Sequence, residues 1–224
     1  MKPEYQFSQP VVEPASGIVF RRSCNVSTPT ARVLLLHGVG SNETDLAGLA
    51  EHLPVGLEIF LLRGPVHVGP QGFAWYQVTF TNNGPSFSFE QAEASRHLLK
   101  LFVGALDPLP TVVAGFSQGG IMSASLGITE PELFAGFGMF SSRILQEIKQ
   151  RRASPNRLQV ISGFIAHGYR DAVLPLEWAK EADAWLTEID VKHEIHLYDM
   201  AHEICAKEIA DFSTWLIKTL PLTQ

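Results

Sequence analysis

Short β-branched and aliphatic runs alternate with helical stretches along most of the 224-residue chain. The predicted strands cover residues 32–36, 57–62, 111–116, 133–140, 158–166 and 194–198. The predicted helices cover residues 44–53, 88–106, 117–128 and 175–189, and a last helix carries an apolar stripe at Cys205, Ile209, Phe212 and Leu216. Strands that alternate with helices form βαβ units. The pattern therefore predicts an α/β fold with a mostly parallel central sheet and helices on both faces.

Two segments depart from this alternation. Residues 1–30 hold four prolines between short extended pieces, so they predict an irregular lead-in with short strands, one of them near residues 17–22. Residues 63–85 are rich in glycine and proline and are longer than an ordinary connection, which predicts a long loop. We expect residues 1–224 to form a single domain, because this length suits one large core.

Composition narrows the classes of partner and location. The chain is 46% hydrophobic and 18% charged, which is typical of a globular protein. A net charge of −6 repels phosphate and argues against nucleic acid as a partner. We expect no transmembrane segment, since no apolar run approaches the roughly 18 residues that span a bilayer. No export signal is evident, so we expect a cytoplasmic protein in which Cys24 and Cys205 are reduced thiols.

Ser117 lies between a predicted strand and a predicted helix, in the sequence Gly115-Phe-Ser-Gln-Gly119. A G-x-S-x-G pattern in this context predicts a strained turn that presents the serine Oγ above the sheet. The residues two positions before and after the serine crowd together in such a turn, and Gly115 and Gly119 have no β-carbon to clash. Ser117 is therefore the candidate nucleophile.

The sequence His37-Gly-Val-Gly40 directly follows the first strand of the predicted core. In enzymes with this serine pattern, the loop at this position donates one backbone N–H to the oxyanion, and the residue after the nucleophile donates another. We expect the N–H groups of Val39 and Gln118 to form this oxyanion hole. The chain has neither a G-x-G-x-x-G nor a G-K-[ST] sequence at this point, so it does not predict a nucleotide cofactor.

A serine nucleophile needs a base, and the base needs a carboxylate that orients it. In this class of fold the three occur in the order Ser, Asp, His. Asp171 follows a predicted strand and is the candidate acid, with Asp199 as its rival at another strand end. His202 lies beyond the last predicted strand and is the candidate base, preferred to His167, His193 and His196.

A zinc site at His193, His196 and His202 is the alternative use of these histidines. No H-E-x-x-H sequence supports it, because Ala206 stands where the second histidine would have to be. We therefore expect neither a metal nor a cofactor.

With these residues placed, the chain resembles the phospholipase/carboxylesterase family of α/β hydrolases, which includes the acyl-protein thioesterases. The resemblance runs from about residue 31 to residue 216. The matching segments are residues 36–45, Arg63-Gly-Pro65, Gly72-Phe-Ala-Trp-Tyr76, residues 115–120, residues 167–175 and His202. The resemblance implies the α/β-hydrolase fold and a lidless, cofactor-free esterase with Ser117, Asp171 and His202 as its triad. It points to the bacterial branch, whose members cleave short acyl esters.

Two positions differ from the family pattern, and one loop needs separate treatment. Ser142 stands where bacterial members usually have Gly before Arg-Ile-Leu, and Ala201 stands where many have Gly before the histidine. Both affect local loop shape and hence the acyl pocket. The candidate pocket residues are the aromatics of the long loop, Phe73, Trp75 and Tyr76, which either form an apolar wall or anchor the loop in the core.

Together these features predict a serine carboxylesterase that hydrolyses short- to medium-chain carboxylic esters through an acyl-enzyme. The alternative is acyl-protein thioesterase or lysophospholipase activity, because the same acyl-enzyme serves both. Perhydrolase or acyltransferase chemistry also uses this triad. A non-catalytic ligand-binding module on the same fold would lack a triad member, and none is missing here. The expected partner is a small acyl ester, and a homodimer remains open.

Overall fold

The computed structural model describes residues 5–81 and 84–222. Parts of the predicted lead-in (residues 1–4), of the predicted loop (82–83) and of the predicted domain (223–224) lie outside the described residues. The strands are β1 Val11–Val12, β2 Val19–Arg22, β3 Ala31–Leu36, β4 Leu57–Leu62, β5 Val66–Gly69, β6 Gly72–Ala74, β7 Val78–Thr81, β8 Gly84–Phe87, β9 Thr111–Phe116, β10 Gly136–Phe140, β11 Ser162–Gly168 and β12 Lys192–Tyr198. The α-helices are α1 Phe89–Gly104, α2 Gln118–Thr129, α3 Gln146–Lys149, α4 Pro155–Leu158, α5 Leu176–Glu188 and α6 Ala206–Thr219.

A sheet of eight strands in the order β1-β2-β4-β3-β9-β10-β11-β12 forms the centre of the molecule. Within this sheet the neighbouring strands β4, β3, β9, β10, β11 and β12 are all parallel. At its other edge β1 pairs antiparallel with β2, and β2 pairs antiparallel with β4. The prediction of a mostly parallel sheet is confirmed. Because the strands are parallel, the carboxyl ends of β3, β9, β10, β11 and β12 lie along one edge, where ligands bind in such sheets.

Both faces of the sheet are buried, which explains why the core strands are continuous aliphatic runs. In β3, Leu34 and Leu36 join one apolar cluster with α1, α2 and α5. Val33 and Leu35 join a second cluster on the opposite face with α6. No helix in the described part of the chain is long and apolar enough to cross a membrane.

Three predicted elements differ from the structure in helix type or in their first residue. The predicted helix at 44–53 is a 3₁₀ helix, Ala47–His52, because the Asn42 side chain accepts the Thr44 N–H and competes with helix initiation. Leu133 ends a 3₁₀ turn, Pro131–Leu133, instead of starting β10. Leu158 ends α4, so β11 begins only at Ser162.

The predicted loop at 63–85 contains two hairpins. β5 pairs with β6 through a short turn, and β7 pairs with β8. The hairpins are joined by Trp75 and Tyr76, which are fully buried. The segment then enters α1 through Ser88, whose side chain accepts the Gln91 N–H at 3.3 Å and caps the helix.

Glu208 in the first turn of α6 is fully buried. Its Oε2 accepts the Cys205 N–H at 3.2 Å, and Oε1 has no hydrogen-bond partner among the described residues. Burial raises the pKa of Glu208 from 4.5 to about 8, although the Cys205 N–H acts in the opposite direction. The folded state therefore holds this proton more tightly than the unfolded chain does.

This proton makes stability depend on pH. Because the folded pKa is raised, the stability contribution of protonated Glu208 is complete below about pH 4.5 and is lost as pH rises through about 8. Above pH 8 we expect the unfolding free energy of Glu208→Gln to exceed that of the wild type by a few kcal/mol, so that the variant unfolds at a higher urea concentration. Urea unfolding at pH 5, 7 and 9 measures this, with the exposed Glu188→Gln as control. An equal pH dependence in both variants would contradict the assignment.

Candidate active site

Ser117 occupies a strained turn between β9 and α2. Its φ is 53° and its ψ is −115°, a conformation that residues with a side chain rarely adopt. The Ser117 N–H donates to Phe140 O at 2.8 Å and ties the turn to β10. A β-carbon at Gly115 or Gly119 would collide with the backbone of the other residue or of Leu36. The two glycines therefore make the turn possible, as the G-x-S-x-G pattern predicts.

Ser117, His202 and Asp171 form a continuous chain of hydrogen bonds at the carboxyl edge of the sheet. The Ser117 hydroxyl donates to His202 Nε2 at 3.0 Å, and His202 Nδ1–H donates to Asp171 Oδ2 at 2.7 Å. The His202 ring also packs on Phe116, with ring centroids 4.8 Å apart. This arrangement leaves Nε2 free of a proton and aimed at the serine hydroxyl.

Asp171 has a fully buried side chain whose two oxygens have separate partners. Oδ1 accepts the N–H groups of Val173 at 2.9 Å and Leu174 at 2.8 Å, which leaves Oδ2 for His202. The rival acid Asp199 has a side chain that is 80% exposed and pairs with Arg170 at 3.1 Å. The structure therefore brings Asp171, and not Asp199, to the histidine.

The loop after β3 is held from inside by His37, which is buried. Its Nδ1–H donates to Gly38 O at 2.7 Å and its Nε2 accepts the Gly64 N–H at 3.0 Å, so the ring is neutral. Burial also lowers the pKa of His37. Gly40 N–H donates to Phe73 O at 2.8 Å. These bonds fix the backbone of Val39 beside Ser117.

Glu43 holds the far end of the same loop. Its Oε1 accepts from Arg21 at 3.2 Å, and Arg63 donates to Oε2 at 2.6 Å and to Oε1 at 2.7 Å. Burial alone would raise the pKa of Glu43, but hydrogen bonds from Arg63, from the Glu43 backbone N–H and from Arg21 lower it to about 2. Glu43 is therefore charged throughout the physiological range and keeps the loop joined to β2 and β4.

A cavity of about 190 Å³ opens beside Ser117. Its walls are mostly apolar and are formed by Val39, Tyr76, Val78, Phe87, Phe116, Ile121, Val173 and Leu174. The two expected oxyanion donors, Val39 and Gln118, both line it. Across residues 5–81 and 84–222 neither backbone N–H has a hydrogen-bond acceptor. Both N–H groups are therefore free to bind an oxygen of a ligand.

Of the three aromatic residues expected in the pocket, only Tyr76 lines the cavity. Trp75 takes the alternative role of loop anchor, because it is fully buried beneath the loop with its Nε1–H donating to His37 O at 3.0 Å. Phe73 does not line the cavity either, and its ring stacks under the Arg63 guanidinium, 4.5 Å away. Trp75 and Tyr76 follow β6 in a bend, where the Trp75 side chain meets the His37 backbone beneath the loop and Tyr76 reaches the cavity.

The sequence analysis missed the role of the Gln118 side chain and missed Arg143 altogether. The Gln118 side chain clamps the loop above it, because Oε1 accepts the Trp75 N–H at 2.8 Å and Nε2–H donates to Tyr76 O at 2.7 Å. Arg143 also lines the cavity. Its position just beyond β10, at the carboxyl edge of the sheet, was the signal available in the sequence.

The two departures from the family pattern lie close to the site. Ser142 Oγ–H donates to Ser117 O at 2.9 Å, so this serine supports the backbone of the nucleophile turn. Ser141, which precedes it, has a positive φ of 44°, and its Oγ–H donates to Glu203 O at 3.2 Å. Ala201 is exposed. The Ser141–Ser142 pair therefore shapes the start of the segment that carries Arg143.

The three histidines of the zinc alternative have separate partners. His193 and His196 project from opposite faces of β12, His193 toward Asp183 at 3.0 Å and His196 toward Glu194 at 3.1 Å. In the described ranges no group of three or more His, Cys, Asp or Glu side chains could hold a metal ion. Cys24 and Cys205 are free thiols.

Comparison with known proteins relates this architecture to characterised hydrolases. The crystal structure of the Bacillus cereus carboxylesterase superposes with a TM-score of 0.75 over 91% of this chain and 94% of that one, at 23% identity. The carboxylesterase from Mesorhizobium loti gives a TM-score of 0.78 over 94% of this chain and 99% of that one, at 17% identity. These similarities confirm the α/β-hydrolase fold.

The sequence comparisons extend the relationship beyond the fold. Acyl-protein thioesterase 1 of Emericella nidulans is 28% identical over 225 residues, which cover 86% of this chain and 91% of the relative. The family model described as phospholipase/carboxylesterase matches residues 23–220 and so includes the turn at Ser117, the loop at Asp171 and His202. The chain therefore belongs to the phospholipase/carboxylesterase family of α/β hydrolases.

Proposed function

We propose that this protein is a serine carboxylesterase that hydrolyses short- to medium-chain carboxylic esters through an acyl-enzyme. The observation that carries the proposal is the hydrogen-bond chain from Ser117 through His202 to Asp171 at the mouth of an apolar cavity. A nucleophile, a base and an orienting acid in this geometry are the parts that acyl transfer requires.

In the proposed first step, Ser117 Oγ attacks the ester carbonyl while its proton moves to His202 Nε2. Asp171 stabilises the imidazolium that forms and holds the ring in place. The carbonyl oxygen becomes an oxyanion, which the N–H groups of Val39 and Gln118 bind. His202 then gives the proton to the departing alcohol, and the acyl group remains on Ser117.

In the second step, water takes the place of the alcohol. His202 removes a proton from the water, the resulting hydroxide attacks the acyl carbonyl, and the proton returns to Ser117 as the carboxylic acid leaves. The cavity volume of about 190 Å³ suits an acyl or alcohol group of modest size. Tyr76, Val78 and Ile121 provide its apolar wall.

A thioester substrate is the second candidate, supported by the similarity to the Emericella nidulans acyl-protein thioesterase. Thioesters pass through the same acyl-enzyme, so the two substrates differ only in their leaving groups. We include three earlier predictions in this proposal: a single domain over residues 1–224, a cytoplasmic location and a small acyl ester as partner. The continuous eight-stranded sheet supports the prediction of a single domain.

A series of p-nitrophenyl esters from acetate to palmitate tests the proposed function. We expect the highest kcat/KM at short or medium chain length, because the cavity is small and apolar. The same enzyme preparation is assayed on an S-palmitoylated peptide, and a higher kcat/KM there would favour the thioester alternative.

Dialysis against EDTA should leave the rate unchanged. A loss that zinc restores would overturn the triad assignment in favour of the histidine cluster.

A further inference from the structure

The proposed mechanism makes no use of Arg143, a charged side chain that lines a mostly apolar cavity together with the reacting groups. Arg143 follows β10 and is half-buried. Its Nε atom is buried and has no hydrogen-bond partner among the described residues. A guanidinium carries five N–H donors, and a buried donor without an acceptor is costly.

The other arginines with buried or half-buried side chains are paired. Carboxylates lie within 4 Å of Arg21, Arg32, Arg63 and Arg96. In the described part of the chain no carboxylate lies within that distance of Arg143. Glu147 is near enough to attract the charge, and Glu181 lines a smaller depression that Arg143 shares on its other side, but neither forms an ion pair with it. Arg143 is thus a partly desolvated cation that forms no ion pair among the described residues.

Aromatic rings hold the guanidinium by its face. Its central carbon lies 4.3 Å from the centroid of the Trp178 ring and 5.8 Å from that of Phe87. A planar cation stacked on a ring keeps its N–H groups at the edge, where they suit the two oxygens of a carboxylate. The contacts therefore orient the group and leave its donors unused.

The backbone before Arg143 is tied to the nucleophile turn and to the histidine loop. Ser142 bonds Ser117 O, and Ser141 bonds Glu203 O, one residue beyond His202. These two bonds fix the position of residues 141 and 142, just before Arg143, relative to Ser117 and His202. A ligand group bound by Arg143 would therefore sit at a set distance from the scissile bond.

We propose that Arg143 binds a carboxylate on the substrate, so that the preferred esters carry a negative charge remote from the ester bond. The inference rests on the proposed esterase function and narrows its substrate class. The apolar wall receives the methylene chain, and the Arg143 edge receives the terminal carboxylate through a bidentate ion pair. The carboxylate belongs either to the acyl group, as in a dicarboxylic acid monoester, or to the alcohol, as in an acylated hydroxy acid.

The test compares charged esters with neutral esters of the same shape. Monoethyl glutarate and monoethyl adipate are paired with ethyl 5-methylhexanoate and ethyl 6-methylheptanoate, in which an isopropyl group replaces the carboxylate. O-acetyl-5-hydroxypentanoate and 5-methylhexyl acetate form the alcohol-side pair. For each pair the ratio of charged to neutral kcat/KM is measured by acid release in the wild type, Arg143→Met and Arg143→Lys.

We expect Arg143→Met to lower the charged-to-neutral ratio about 10- to 100-fold in the acyl-side or the alcohol-side pairs, and Arg143→Lys to retain part of it. The pair that responds identifies which side carries the carboxylate. The exposed Arg152→Met is the matched control and should leave every ratio unchanged. Ratios that stay within about twofold of the wild type in Arg143→Met, in all pairs, would overturn the proposal.

Fluorophosphonate labelling separates this inference from the proposed function. Equal labelling of Ser117 in the wild type and Arg143→Met shows that the variant is folded with its nucleophile intact. In the wild type, glutarate or adipate should slow the labelling and a neutral diamide of the same length should not. If the wild type is neither labelled nor active on any ester, the proposed esterase function itself fails. If it is labelled and active but dicarboxylates give no protection, only the role of Arg143 fails.

Discussion

Ser117→Ala should lose esterase activity on the order of 10⁶-fold, the scale measured when the nucleophile of a serine triad is removed. Alanine keeps the β-carbon and the backbone of the turn, so the oxyanion donors and the cavity stay in place. The residual rate, roughly 10³ to 10⁴ above that in water, would come from those donors and from substrate binding. Initial rates on p-nitrophenyl butyrate measure the loss.

The control for this prediction is Ser154→Ala, which removes another hydroxyl at an exposed position. It should keep full activity and full fluorophosphonate labelling, whereas Ser117→Ala should lose both. Mass spectrometry of the labelled wild type identifies the modified peptide. Modification of a serine other than Ser117, or activity of Ser117→Ala above about one per cent of the wild type, would refute the assignment.

Asp171→Asn should lower turnover about 10⁴-fold while the protein stays folded, and the reason lies in the geometry of the carboxylate. Oδ1 accepts two backbone N–H groups, from Val173 and Leu174. An asparagine keeps its oxygen at that position and therefore turns its NH₂ group toward His202. Nδ1 must then accept a hydrogen bond, so the ring proton moves to Nε2, where it blocks transfer from Ser117.

Asp199→Asn is the matched comparison, since Asp199 also follows a strand but is largely exposed and pairs with Arg170. We expect it to change turnover by no more than about twofold. Thermal unfolding should show both variants folded. A larger loss of turnover in Asp199→Asn than in Asp171→Asn would show that Asp171 is not the acid of the triad.

The sequence predicted most reliably those features that depend on neighbouring residues and on strand ends. The turn at Ser117 follows from two glycines at fixed spacing between a strand and a helix. Asp171 and His202 lie just beyond predicted strands, and parallel strands bring their carboxyl ends to one edge. Local pattern and this one topological rule are enough to place the three residues together.

The features that depend on contacts between distant segments could not be predicted. Gln118 meets the Trp75 backbone across 43 residues, and no periodicity reports such a bond. Phe73, Trp75 and Tyr76 look equivalent in the sequence, but only the hairpins that flank them decide which ring meets the cavity. The 3₁₀ helix Ala47–His52 is too short for its apolar spacing to distinguish it from an α-helix.

The bonds from the Gln118 side chain have a consequence for redesign of substrate range. They hold the chain at Trp75 and Tyr76, while the hairpins before and after this point are separate units. The β7–β8 hairpin supplies Val78 and Phe87 to the cavity, and we expect it to tolerate exchange for one of another length or composition while the Gln118 bonds keep the backbone at Trp75 and Tyr76 in place. Libraries that vary this hairpin and keep Trp75, Tyr76 and Gln118 should therefore yield active esterases with altered chain-length preference far more often than libraries that vary the junction.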